Sequence, residues 1–239
     1  SKLNYAVYIA NGPTLAGEDG HGDEEEDGHG SAEAGALKFD NYDNLGGNFA
    51  YGGRIGILPL PQLEVGYSLY ASDVSTEEGL ESDVLLQGVD LSYIRDSELL
   101  RGRIDVRTEW AWSDAGSISF ETETDGEEGD EHGEEAEGGD DHGIAVFDNK
   151  RSGGYVQLAY QPTKVVTSLV RNFECVGRYD VIDFPDGSPI DNDEHRLTVG
   201  LNYWCGPSAV LKVAYQFDSK DGEGAVDQDA VLIQAALGF

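Results

Sequence analysis

Apolar and polar residues alternate one by one along most of this chain, and long Gly-rich polar stretches interrupt the alternation. A pleated backbone turns successive side chains to opposite faces, so period two predicts strands with one apolar and one polar face. Read this way, the sequence gives about ten strands and no helical stripe of useful length. The first spans 2–11, with Leu3, Tyr5, Val7 and Ile9 on one face. The second spans 47–58, with Phe49, Tyr51, Ile55 and Ile57 opposite Arg54. Pro59 to Gln62 makes a tight connection to a third, in which Leu63, Val65, Tyr67 and Leu69 alternate with Glu64, Gly66, Ser68 and Tyr70. The fourth carries Leu85, Val89, Leu91 and Tyr93 against Gly88, Asp90 and Ser92. In the fifth, Ile104, Val106, Trp110 and Trp112 alternate with Arg101, Arg103, Asp105, Arg107 and Glu109. Further strands are expected over 154–161, 173–181 and 195–205, then from Leu211 to Phe217 and from Val231 to Phe239.

Connection lengths sort into two sets. Those at 12–45, 72–82 and 114–149 are long, whereas those at 59–62, 95–98 and 206–208 are short; 162–172 is longer than its place predicts. Short turns on one rim and long loops on the other are the layout of an outer-membrane barrel, and a soluble sandwich has no reason to sort its loops so. The expected fold is therefore all-β, an antiparallel transmembrane β-barrel. It forms one domain over 1–239 or the C-terminal portion of one, with long acidic outer loops at 12–46 and 114–150. Tyr93, Trp110, Trp112, Tyr203, Tyr215 and Phe217 are expected on the apolar face near the interfaces.

Charge narrows the partners. Against 47 Asp plus Glu stand 15 Lys plus Arg, a formal net charge of -32 that repels nucleic acid. No apolar run is long enough for a membrane-spanning helix, a length test that leaves barrels untouched. The first residues show no basic start with an apolar core after it, so the chain reads as processed or as opening inside a strand.

Parity places Arg54, Arg101, Arg103, Arg107, Arg178, Arg196 and Lys212 on the polar, pore-lining face, with Glu64, Asp90, Asp105, Glu109 and Glu174 beside them. Rings of charge select counter-ions, and the Arg fork suits phosphate or carboxylate oxygens; cross-strand ion pairing within the wall is the alternative. His21, His29, His132 and His142 lie in the acidic tracts Gly17 to Gly30 and Asp125 to Gly143. They are candidate ligands for a weakly bound divalent cation, although such tracts also occur simply as solvated chain. No other cofactor is expected. Cys175 and Cys205 share a parity on neighbouring strands, which would allow a disulfide in an oxidising compartment. Asp191, Asp193 and His195 are the one Asp and His arrangement at a strand end, the basis of a rival reading as a barrel hydrolase. A soluble, acidic, calcium-dependent sandwich is the other rival. The chain is expected not to be an enzyme.

The segments LNYAVYIANGP (3–13), GGRIGILPLPQLEVGYSLY (52–70), FECVGRYDVIDF (173–184) and HRLTVGLNYW (195–204), with the terminal Phe239, resemble the carboxy-terminal part of phosphate-selective porins of the O and P type. That resemblance implies a trimeric bacterial outer-membrane porin of roughly sixteen strands, whose basic lumen passes small solutes or anions such as phosphate. It also implies a Phe239 read by the barrel assembly machinery. This chain departs from the family in strand number, so further strands come from elsewhere, and in its acidic loops.

Overall fold

A computed structural model describes residues 2–15, 35–39, 48–75, 81–122, 143–188, 193–220 and 228–238. The alternating segments become strands β1 (Lys2–Asn11), β4 (Phe49–Leu60), β5 (Leu63–Ser75), β6 (Glu81–Ser97), β7 (Gly102–Thr122), β8 (Gly143–Gln161), β9 (Phe173–Asp183), β10 (Glu194–Gly206), β11 (Ala209–Lys220) and β12 (Ala230–Leu237). They pair only with their sequence neighbours, antiparallel, in one ten-stranded sheet ordered β1-β4-β5-β6-β7-β8-β9-β10-β11-β12. Two further strands, β2 (Thr14–Leu15) and β3 (Leu37–Lys38), form a separate two-stranded sheet. The fold is thus all-β and antiparallel, as the alternation predicts, with α1 (Ser168–Arg171) the one helix among the described residues.

Several strands outrun their expected ends. β5 continues to Ser75, and β7 and β8 extend to Thr122 and back from Gly143. Ladder hydrogen bonds need no apolar side chains, so pairing persists where alternation has faded. The loop expected over 114–150 is accordingly strand at both ends, and 72–75 and 81–82 of the loop expected over 72–82 are strand as well. Pro59 stays within β4, whose register shifts between Ile57 and Leu60 before the turn at Pro61 and Gln62.

Paired residues share a face. One pairing line runs Leu3, Ile57, Val65, Leu91, Thr108, Val156, Tyr179, Leu197, Phe217. It starts beside the first residue of β1, at the rim of short turns, and ends near the last residues of β11, at the opposite, loop rim. That stagger is what strand tilt produces in barrel-type sheets. β1 and β12 terminate the order, and no ladder joins them among the described residues.

Candidate functional site

The polar face is a wall of charge held in register. Arg54 on β4 forks onto Asp90 of β6 at 3.1 and 2.6 Å and reaches Glu64 of β5 at 3.2 Å and Asn4 of β1 at 3.3 Å, linking four strands. Arg107 grips Asp105, two residues back on the same strand face, at 3.0 and 2.9 Å. Arg178 does the same with Asp180 at 2.8 and 2.6 Å, and its guanidinium lies 3.7 Å from the Tyr155 ring centroid. Arg196 pairs across the ladder with Asp218, its second bond at 3.1 Å. Glu174 accepts from Asn202 at 2.9 Å and from the Trp204 indole at 3.0 Å. Glycines give these long side chains room: the Tyr8 ring lies over Gly52, and Arg54 and Asp90 lie where a Cβ on Gly66 would stand.

Of the residues expected on this wall, Arg54, Arg103, Arg107, Arg178, Arg196 and Lys212 all share the face, together with Glu64, Asp90, Asp105, Glu109 and Glu174. Arg101 does not. It sits in the turn between β6 and β7 at φ +51°, and its guanidinium donates to the Lys164 carbonyl at 3.4 Å. The misplacement came from extending alternation one step past the strand end. Pairing also differs from a basic ladder. Arg54, Arg107, Arg178 and Arg196 each hold a carboxylate, Arg103 meets Asp96 at 3.3 Å, and Lys212 alone of the six has none among the described residues. The wall is therefore close to charge-neutral, with alternating signs.

On most strands the apolar side chains are the more exposed ones; β7 is the exception, with the Arg103 and Arg107 side chains of its polar face 52 and 51% exposed. On the polar face the Asp218, Asp180 and Asp90 side chains are 14, 23 and 27% exposed. On the apolar face Val156, Leu158 and Val213 are 56, 53 and 51% exposed. No second layer covers that apolar face among the described residues. Tyr93, Trp110, Trp112, Tyr203, Tyr215 and Phe217 all belong to it by register.

Near the loop rim the polar face carries something sequence reading missed. Val74, Val84 and Leu86 break the polar parity there, and with Ala115 and Leu37 they form a small core under the β2–β3 hairpin. Phe39 meets Tyr70 edge-on at 5.9 Å, and buried Asn149 donates to the Gly35 carbonyl at 2.8 Å. The described pieces between β1 and β4, namely β2, β3 and Phe39, thus lie over the wall. Apolar residues at wall parity, with Leu15, Leu37 and Phe39 flanking an acidic tract, were the available signal.

The remaining candidates do not assemble. Cys175 pairs with Leu201, so Cys205 lies four residues further along the neighbouring strand, and both thiols are free and exposed. At about 3.4 Å per residue that separation is beyond disulfide reach. Asp193 accepts the Phe184 N–H at 3.0 Å, closing its loop, while His195 faces the apolar side, stacked on Tyr179 with its Nδ1 3.2 Å from the Tyr179 hydroxyl. Asp191, His21, His29, His132, His142 and Phe239 lie outside the described residues. Among the described residues no group of three or more His, Cys, Asp or Glu is placed to hold a metal.

No family model matches the chain, and no curated protein or solved structure matches it either.

Proposed function

We propose that this chain forms most of an outer-membrane β-barrel porin through which small solutes and ions diffuse passively along the charged wall. The uncovered apolar face carries the reading. A sheet whose apolar face lies open and uncovered, while its charged face is cross-linked by ion pairs and is the more sheltered one on most strands, suits a surround of lipid enclosing a wet lumen. A soluble sandwich would cover the apolar face with a second sheet. In this reading β1 and β12 are completed by further strands, the hairpin over the wall narrows the passage, and assembly follows the trimeric, Phe239-directed pattern implied by the O and P type resemblance. The carboxylates beside Arg54, Arg103, Arg107, Arg178 and Arg196 argue for a sieve with weak ion preference rather than a strong phosphate selector.

Addition of the purified full chain to one side of a planar bilayer should give stepwise, ohmic conductance increments. The reversal potential in a salt gradient should be small at high salt. Release from native membranes by alkaline carbonate without detergent would overturn the proposal.

A further inference from the structure

We infer that the turn rim of the sheet is a binding surface for anionic phospholipid headgroups; this rests on the membrane reading above. Four of the wall's arginines are tightly paired, yet Arg95 near the end of β6, Arg101 in the turn after it and Arg171 at the end of α1, all at this rim, have no carboxylate partner among the described residues. The nearby acids are already engaged: Glu98 with Lys164, and Asp96 with Arg103. A chain of net charge -32 therefore presents a locally positive edge on one side.

The cations stand on a built platform. The turn between β6 and β7 and the long connection between β8 and β9 are laced together by Lys164 N–H to the Arg101 carbonyl at 3.0 Å, the Tyr160 hydroxyl to the Leu100 carbonyl at 2.6 Å, and Gln161 to the Arg171 carbonyl at 3.1 Å. The Trp204 N–H to the Asn172 carbonyl at 2.9 Å ties the far end to β10. This accounts for the one connection whose length breaks the short-turn pattern. From the platform project Leu99 and Val166, 91 and 94% exposed, with Leu169 at 58%.

Apolar residues held this open beside unpaired guanidinium groups match one ligand chemistry best, a phosphodiester headgroup with acyl chain beneath it. The guanidinium fork takes two phosphate oxygens, and its stem lies along apolar surface while the charge stays at the interface. Arg95 is placed for this role. It lies on the apolar face two residues from the end of β6, its guanidinium held by the Tyr93 hydroxyl at 3.4 Å.

The test is binding of the full chain to vesicles of phosphatidylcholine alone and with added phosphatidylglycerol, for the native protein and for a variant carrying Arg95→Gln, Arg101→Asn and Arg171→Gln. Asn tolerates the positive φ at 101. At low salt the native protein should prefer phosphatidylglycerol by on the order of tenfold or more, given the contribution of a cation near an anionic surface. The variant should bind phosphatidylcholine unchanged and lose the preference. Equal binding to both vesicles, or a preference that survives in the variant, overturns the inference while leaving the membrane reading standing. Failure to enter either vesicle overturns both. Full competition by inorganic phosphate would mark a small-anion site, and a salt-sensitive self-association lost in the variant with lipid preference intact would mark a protein contact; either result rejects the lipid assignment.

Discussion

Arg101 shows how much one residue's backbone matters. Its φ of +51° places a side chain in the left-handed region, in a turn closed by its own N–H to the Glu98 carbonyl at 3.2 Å. Arg101→Gly should therefore stabilise the protein by about 1 kcal/mol, the cost of that conformation for a residue with a Cβ. The midpoint of urea unfolding in lipid would show it as a shift to higher denaturant. Asp73 and Asp83 stand directly opposite one another in the β5–β6 ladder, both exposed at the loop rim. Like charges in that relation repel, so Asp83→Asn should raise stability by about 0.5 kcal/mol at low salt. The gain should shrink in high salt, where the repulsion is already screened.

At the scale of elements, period two was enough to place all ten strands of the main sheet, because a one-residue slip would turn every apolar side chain to the polar face. Leu3 to Ile9 and Leu197 to Tyr203 show that legibility, and the strand ends show its limit. Beyond the apolar band, as at Ser117, pairing continues without a hydrophobic signature. The hairpin was illegible for a different reason. Apart from the apolar residues at wall parity, what seats it is contacts between residues far apart in sequence, such as Asn149 with Gly35 just before β3, which no local pattern encodes. Asn149→Ala would leave the Gly35 carbonyl buried without its donor, at a cost of about 1–3 kcal/mol. If the hairpin narrows the passage, that cost is met by local detachment of the hairpin, so this substitution should raise single-channel conductance and its noise while the unfolding midpoint of the main sheet moves little. An unaltered conductance would mean the hairpin does not obstruct flow.

Across the whole molecule the charges are segregated. The wall is balanced, the turn rim is basic, and the acidic excess belongs to tracts such as Glu18 to Gly30 and Asp125 to Gly143. Loop charges in water act over only about 8 Å at physiological ionic strength. Cation preference should therefore emerge as salt is lowered and fade toward none at high salt, and deletion of both tracts should abolish the change in reversal potential. The central claim is that one face of the sheet meets water and the other meets lipid. It is tested most directly by single cysteines at neighbouring positions of β8 and β10, in a background of Cys175→Ala and Cys205→Ala, with the protein reconstituted in vesicles. A charged, water-soluble thiol reagent should label cysteines placed at Gln157 and Thr198 and spare those placed at Val156 and Val199. Equal labelling of all four, or labelling of Val156 and Val199 alone, would contradict the account.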